Sequence, residues 1–198
     1  MELLHSLNAL IVKELLEKEE SAFVITSISD SIQMRNIKKQ DMQAIVDWFD
    51  VRQSKFYKIG WSYLKNHYDV EDVFHNTIIK VHDKIGQLRK EQYFETWVTS
   101  IFINECRSIY RKKNKDTLEN PPEMIEEKPL ESQLEVMDNL DQLENIHREV
   151  IILKYLQGFS QKEISHILNL PIGTVKSRLH RGLRDLRNLI ESGESSGV

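Results

Sequence analysis

The side chains best suited to binding chemistry lie near the C-terminus, on one face of a predicted helix. Between Pro171 and Arg187 there are five Lys or Arg residues and one acidic residue, although the whole chain has a net charge of −4. Cations bind phosphates, and Arg or short polar side chains read base edges in a DNA groove. The predicted DNA-binding face comprises Thr174, Lys176, Ser177, Arg178, His180, Arg181 and Arg184. The alternative is a solvated basic helix in an ordinary helical domain.

Two predicted helices would position this face as a helix-turn-helix. Ser160 and Glu163 have the S-x-x-E spacing of a capping box, which predicts that a helix starts there. Asn169 tolerates the left-handed conformation and Pro171 cannot continue a helix, so a turn follows. The apolar residues then recur at helical spacing, which gives each helix one buried side. They are Ile164, Ile167 and Leu168 in the first helix and Val175, Leu179, Leu183 and Leu186 in the second.

Composition predicts an all-α protein without catalytic chemistry of its own. The 198 residues include only 7 Gly and 4 Pro, and long segments have helical periodicity. A single Cys excludes an intramolecular disulfide and a Cys-rich zinc site, and it favours a reducing, cytoplasmic compartment. We find no catalytic constellation, metal site or cofactor motif, so we expect no cofactor, no metal and no enzymatic activity. No apolar run approaches the ~20 residues that span a bilayer.

An acidic, proline-containing segment separates two better-patterned blocks. Residues 114–140 contain 8 acidic and 2 basic residues as well as Pro121, Pro122 and Pro129. This composition predicts a flexible linker over 114–139. Residues 141–159 form a further predicted helix that ends at Gly158. Residues 1–35 form an extension of uncertain role, with a predicted helix to about Glu20, and Met34 is an alternative start of the chain. We expect deletion of residues 1–35 to leave DNA recognition intact.

The segment LPIGTVKSRLHRGLRDLR resembles the part of extracytoplasmic-function (group IV) sigma factors that reads the promoter −35 element. These proteins are small specificity subunits of bacterial RNA polymerase. The resemblance implies that the face defined above contacts −35 duplex DNA through the major groove.

Residues 69–85, DVEDVFHNTIIKVHDKI, resemble the sigma segment that docks on the polymerase β′ subunit. The family pattern is matched by Asp69, Glu71, Asp72 and Thr77, whereas His75 and Asn76 differ from it. Asp69 is also a suitable N-cap for the predicted helix. The resemblance implies a core-binding set of Asp69, Glu71, Asp72, His75 and Asn76, in which the last two replace the family's Gln and acid.

Residues 86–113 are similar to the family's −10 reader, in which a loop and the following helix bind melted DNA. The frame F-x-x-W-(x)6-N-(x)6-R-K begins at Phe94, and Ser108 stands where the family commonly has Asp. Extruding a base costs a few kcal/mol, which a binding pocket must offset. The resemblance implies −10 contacts from Lys90, Gln92, Tyr93, Asn104, Arg111 and Lys112.

Two matching blocks in the family's order predict a two-domain sigma factor. The predicted parts are the extension 1–35, region 2 over 36–113, the linker 114–139, region 4 over 140–190 and a disordered tail 191–198. The resemblance implies three partners: core RNA polymerase (β′ and β), promoter DNA and an anti-sigma factor, which is often membrane-bound in the family. A stand-alone helix-turn-helix regulator, or an anti-activator whose acidic segments mimic DNA, remains an alternative.

Overall fold

The computed structural model describes residues 30–116 and 140–194, with side chains over 30–113 and 140–191, and these residues form helices without any strand. This confirms the predicted all-α class. The first bundle contains α1 (30–38), α2 (Met42–Asp50), α3 (Gln53–Leu64), α4 (His67–Lys84) and α5 (Phe94–Asp116). The second bundle contains α6 (Asn145–Ile151, continued by a π-helical turn at Ile152–Leu156), α7 (Gln161–Leu168) and α8 (Ile172–Glu194).

Aromatic side chains fill the core of the first bundle. Phe56 is fully buried, and its ring centroid lies 5.0 Å from that of Phe102 and 5.7 Å from that of Trp48. Gly60 lets α3 approach α4, since a Cβ on Gly60 would lie 2.9 Å from Val70 Cγ1. Trp48, Phe49 and Phe56 of α2 and α3 are therefore core residues, and these helices hold α4 and α5 in place.

The N-terminus of α4 differs from the prediction. Asn66 caps the helix, because its extended backbone allows its side chain to accept a hydrogen bond of 3.0 Å from the Asp69 amide. Asp69 therefore lies in the first helical turn and is not the N-cap. The helix begins at His67, directly after Lys65 ends α3 in the left-handed conformation (φ 51°).

In the second bundle, α6 and α7 pack on α8 around the buried side chains of Val150, Ile164 and Val175. Gly158 follows the π-helical turn with φ 76°, as expected for a residue that ends a helix. Gly182 allows α8 to cross α6 closely, since a Cβ there would lie 2.8 Å from Ile151 Cδ1 and 3.1 Å from His147 Cβ.

The two bundles pack directly against each other, with α5 on α7 and α3 on α6. Ser100 Oγ donates to the Ile167 carbonyl at 3.1 Å, and Gln157 Nε2 donates to the Lys55 carbonyl at 3.3 Å. Lys65 also forms an ion pair with Asp141 across the interface. Two helical domains were predicted, but their direct contact was not.

Several predicted segments lie wholly or partly outside the described residues. These include the N-terminal helix to about Glu20 and most of the 114–139 linker, of which 114–116 continue α5. Residues 191–198 were predicted to be a disordered tail, but α8 continues to Glu194, with Leu189 packed on the core near its end. Residues 30–35 belong to α1, where Met34 packs on the core, so a deletion of residues 1–35 would also remove part of a packed helix.

Candidate nucleic-acid interface and polymerase-binding face

The helix-turn-helix is built as the capping and turn residues predict. The Ser160 amide donates to Glu163 Oε2 at 2.8 Å, and the Glu163 amide donates to Ser160 Oγ at 3.2 Å. Hydrogen bonding with Ser160, first with its side chain and then with its backbone amide, lowers the pKa of Glu163 below its usual value. Asn169 is left-handed (φ 54°), and α8 begins directly after Pro171. These interactions fix the direction in which α8 leaves the turn.

Most of the predicted −35 side chains share an exposed face of α8. Thr174 is half-buried near the start of the helix, where Ser177 Oγ donates to its carbonyl at 2.9 Å. Arg184 lies 3.3 Å from its neighbour Asp185, and this exposed contact is strongly screened by solvent. The exposed members of the set are Lys176, Ser177, His180, Arg181 and Arg184. Their positions suit phosphate and base-edge contacts.

Arg178 differs from the other members, because its side chain turns toward α6 and is 22% exposed. Its Nη1 donates to Glu149 Oε1 at 3.1 Å. This guanidinium is therefore engaged inside the protein and not presented with the exposed basic face.

Glu149, which the sequence did not identify, accepts hydrogen bonds from both bundles. Its side chain is 8% exposed, and its Oε2 accepts from Tyr63 Oη at 2.6 Å and from Arg107 Nη2 at 2.8 Å. Burial, reinforced by Glu149, raises the pKa of Tyr63 well above its usual value. Burial alone would lower the pKa of Arg107, but Glu149 and Tyr63 more than offset it and the pKa is raised. Only the adjacent pair Arg148-Glu149 within an apolar stretch hinted at such a site in the sequence.

The outer face of α4 carries the predicted polymerase-binding residues. Glu71, Asp72, His75 and Asn76 are exposed, and Glu71 Oε1 lies 3.0 Å from His67 Nε2 one turn earlier. Asp69 differs, since its side chain is only 13% exposed and its Oδ2 accepts from Lys113 Nζ at 2.5 Å.

Two large apolar side chains extend the exposed face of α4. Tyr68 is 66% exposed and Ile79 is 52% exposed, and both share a stripe with Asp72 and Asn76 at helical spacing. An exposed helix face that combines two large apolar side chains with acidic and polar residues suits a protein partner of complementary charge.

The predicted −10 residues are exposed, and they occur at two separate places. Lys90, Gln92 and Tyr93 lie in the irregular connection before α5, where two short 3₁₀ turns flank residues 88–90. Asn104 and Arg111 are separated by two helical turns, and they lie on the same side of α5 as Trp97. Lys112 follows next to Arg111, and Phe94 is a core residue, as expected. An extended strand of DNA could follow this side of the helix.

A groove of about 820 Å³ separates the −10 loop and α5 from the helix-turn-helix. Tyr93, Trp97 and Ser100 line one side of it, and Lys162 and His166 line the other. The predicted −10 surface therefore lies beside the first helix of the helix-turn-helix.

The described residues contain no group of three or more His, Cys, Asp or Glu side chains that could hold a metal ion. Cys106 is fully buried, as expected for a small core residue, and burial raises the pKa of its thiol. Within the described helices, none combines the length and apolar character needed to cross a membrane.

Comparison with protein families gives two matches in the order that the sequence predicted. Residues 49–116 match sigma-70 region 2, and residues 133–186 match sigma-70 region 4. A stand-alone helix-turn-helix regulator has no reason to carry the first match.

Individual proteins agree with the family matches. The ECF RNA polymerase sigma factor SigW of Bacillus subtilis (strain 168) is 31% identical over an alignment of 173 residues. The alignment covers 78% of this chain and 92% of SigW. The ECF RNA polymerase sigma factor SigE of Mycolicibacterium smegmatis is 29% identical over an alignment of 170 residues, which covers 78% of this chain and 66% of SigE.

Two solved structures share the fold. CnrH, solved in complex with the cytosolic domain of CnrY, has a TM-score of 0.62 at 21% identity, with 82% of this chain and 97% of CnrH covered. The sigma factor RpoE, solved in complex with the anti-sigma factor NepR from Bartonella quintana, has a TM-score of 0.62 at 24% identity, with 73% of this chain and 97% of RpoE covered.

Proposed function

Because this chain belongs to the extracytoplasmic-function family of RNA polymerase sigma factors and directs transcription initiation as an alternative sigma factor, we propose which of its surfaces bind −35 DNA, −10 DNA and core polymerase. The exposed face of α8 reads the −35 duplex. The loop before α5 and the exposed side of α5 bind the melted −10 strand. The outer face of α4 holds the core enzyme, and the chain carries no catalytic activity of its own.

The observation that carries this proposal is that exposed positive charges lie on α8, whereas exposed negative charges lie on α4. The basic side chains Lys176, Arg181 and Arg184 project from α8 into solvent, while the acidic pair Glu71 and Asp72 projects from α4. A basic helix face suits DNA, and an acidic face with exposed Tyr68 and Ile79 suits a basic protein partner.

Two weak DNA-reading surfaces on one chain support each other. Once one surface is bound, the second surface is present at high local concentration, so the pair binds more tightly than either alone. The proposed boundaries of the two parts remain 36–113 and 140–190, joined by the acidic linker 114–139.

The proposed partners are core RNA polymerase, promoter DNA and an anti-sigma factor, and the proposed location is the cytoplasm. The anti-sigma proposal is supported by the two fold relatives, CnrH and RpoE, which were solved with CnrY and NepR. The −10 surface and the helix-turn-helix lie side by side across the groove between α5 and α7, so one partner could cover both.

Charge reversal on α4 tests the polymerase-binding face. We expect Asp72→Lys to lower the affinity for purified core polymerase by about tenfold or more, because a like charge placed in a complementary interface costs several kcal/mol. Asp83→Lys is the matched control, since Asp83 is exposed near the end of the same helix. Equal binding by both variants would place the polymerase contact elsewhere.

A further inference from the structure

A short N-terminal helix, which lies before the region 2 match, contacts the loop to which we assign −10 recognition. The family match begins at residue 49, whereas α1 covers residues 30–38. Ile37 of α1 is fully buried in the core of the first bundle. The helix is therefore anchored, and its polar side chains have defined positions relative to the loop.

Lys38 at the end of α1 donates a hydrogen bond to a backbone carbonyl of the loop, and Gln40 in the turn after α1 donates to a carbonyl near the end of α4. Lys38 Nζ donates to the Leu88 carbonyl at 2.7 Å, and Gln40 Nε2 donates to the His82 carbonyl at 3.1 Å. Gln40 has the left-handed conformation (φ 62°), and the turn that precedes it is closed by a hydrogen bond of 2.9 Å from its amide to the Ile37 carbonyl. This turn fixes the direction of both donors.

Lys38 contacts the part of the loop that has the least support of its own. The Leu88 amide donates to the Ile85 carbonyl at 3.1 Å, and the Tyr93 amide donates to the Lys90 carbonyl at 3.1 Å, so each 3₁₀ turn is closed internally. Residues 88–90 between the turns have no regular structure. A hydrogen bond from an ammonium group is stronger than one between neutral groups, and half-buried Lys38 is partly shielded from water.

The same helix forms one wall of a groove that includes a predicted −10 residue. Gln33 and Met34 of α1 line this groove of about 500 Å³ opposite Glu91 and Gln92 of the loop. The base of the groove is formed by Trp48 and Phe94, whose ring centroids lie 4.9 Å apart. A change in the position of α1 would therefore alter the surroundings of Gln92.

We propose that Lys38 is a positioning residue that holds the −10 loop in its base-reading conformation through the Leu88 carbonyl. This rests on the proposed function, namely that the loop of residues 86–93 reads the −10 element. Lys38 acts through the loop and not by touching DNA. It sets how well the loop distinguishes the correct −10 sequence, and it has no role in −35 recognition or in polymerase binding.

The test uses the full chain with Lys38→Met, which keeps the aliphatic stem and removes the ammonium group. Lys38→Arg is the conservative variant, and Lys39→Met is the matched control because Lys39 is the exposed neighbour. Single-round transcription with core polymerase is measured on a promoter, on a copy with an altered −10 element and on a copy with an altered −35 element.

We expect Lys38→Met to reduce −10 discrimination by about tenfold, the scale of one charge-assisted hydrogen bond, and to leave −35 discrimination and polymerase affinity unchanged. Lys38→Arg should retain most of the discrimination, and Lys39→Met should behave as the parent protein. Unchanged −10 discrimination in Lys38→Met would overturn the proposal. An equal loss for both elements would also overturn it, because it would indicate a general loss of folding.

Amide hydrogen exchange of the free protein separates this proposal from the proposed function. Lys38→Met should increase exchange over residues 86–93 selectively, and Lys39→Met should not. Suppose that the parent protein shows no −10 dependence, but Lys38→Met increases exchange over residues 86–93. The −10 assignment would then fail, while the role of Lys38 in holding the loop would stand. Unchanged exchange in Lys38→Met would show that Lys38 does not hold the loop.

Discussion

Neighbouring cations on α8 have different surroundings, so we expect them to have different roles. Lys176 is exposed, whereas Arg178 contacts buried Glu149 at 3.1 Å. A cation in solvent is available to DNA, while a cation bound to a buried carboxylate also stabilises the fold. Alanine substitution at the two positions should therefore give two distinct phenotypes.

We predict that Lys176→Ala weakens −35-dependent transcription and reduces the salt dependence of DNA binding by about one phosphate contact, with unchanged thermal stability. Arg178→Ala should lower the free energy of unfolding by about 1–3 kcal/mol, because Glu149 loses a charged hydrogen-bond donor. Urea unfolding and filter binding at several salt concentrations measure both effects. A stability loss in Lys176→Ala, or none in Arg178→Ala, would contradict the assignment.

The sequence predicted the exposed residues of α8 better than it predicted Arg178. Helical periodicity identified the buried side through Val175 and Leu179, and residues opposite that side are exposed. Leu183 was also predicted on the buried side, but it is 40% exposed. Arg178 lies at the edge of the buried stripe, where the direction of a long side chain depends on its partner. That partner, Glu149, is 29 positions away on another helix, and no local pattern connects the two.

At the scale of a helix, the capping box of α7 links stability to pH. The folded pKa of Glu163 is lowered, mainly by its hydrogen bond with Ser160. A lowered carboxyl pKa adds stability that is present above the unfolded pKa of about 4.3 and is lost as pH falls through the folded value. Glu163 therefore stabilises the helix-turn-helix at neutral pH.

We predict that Glu163→Gln has little effect at pH 7, because the amide can replace the carboxylate in the capping box. Between pH 5 and the folded pKa, the variant should lose less stability than the parent, since it lacks the titrating group. Ser160→Ala should cost about 1 kcal/mol at neutral pH. Urea unfolding across this pH range tests both, and identical pH profiles of the parent and Glu163→Gln would contradict the assigned cause.

Two glycines in α8 provide a matched comparison of helix packing. We predict that Gly182→Ala destabilises the protein by about 1–3 kcal/mol, because the new methyl group would overlap Ile151 and His147 of α6. Gly173→Ala should be neutral or stabilising by up to about 1 kcal/mol, because a Cβ there meets no atom within 4 Å. The free energy of unfolding measures the difference, and equal effects would contradict the close crossing of α6 and α8.

Helix boundaries were predictable where a local signal was unique. The Ser160–Glu163 spacing and the Asn169–Pro171 turn gave the correct bounds of α7. At α4, Asn66 and Asp69 are both suitable N-cap residues. Left-handed Lys65 ends α3, and the extended backbone of Asn66 directly after it makes Asn66 the N-cap. The hydrogen bond from Lys38 to the Leu88 carbonyl was not predictable, because it joins residues 50 positions apart.

For the whole molecule, the main departure from the sequence prediction is the interface between the two bundles. The hydrophobic periodicity and the charge distribution of the sequence indicated two helical blocks and an acidic linker. Neither pattern contains information on how the two blocks pack against each other. Buried Glu149 joins them through Tyr63 and Arg107. This interface places the proposed −10 surface next to the helix-turn-helix.

We predict that the double variant Tyr63→Phe/Arg107→Ala increases the radius of gyration in small-angle X-ray scattering, because it removes both donors that the first bundle provides to Glu149. The circular-dichroism spectrum should remain helical. Arg111→Ala is the control, since Arg111 is exposed on the same helix as Arg107. An unchanged radius in the double variant would show that the interface is held by its other contacts.

The central claim is that this chain gives core polymerase a promoter specificity that depends on two separate surfaces. The most direct measurement is transcription by purified core polymerase from a genomic promoter library, with the parent protein, with Lys176→Ala and without either. The account predicts initiation only when the protein is present, from promoters that share a −35 and a −10 element, and reduced −35 dependence with Lys176→Ala. Sequence-specific duplex binding by the protein alone, without polymerase-dependent initiation, would contradict it.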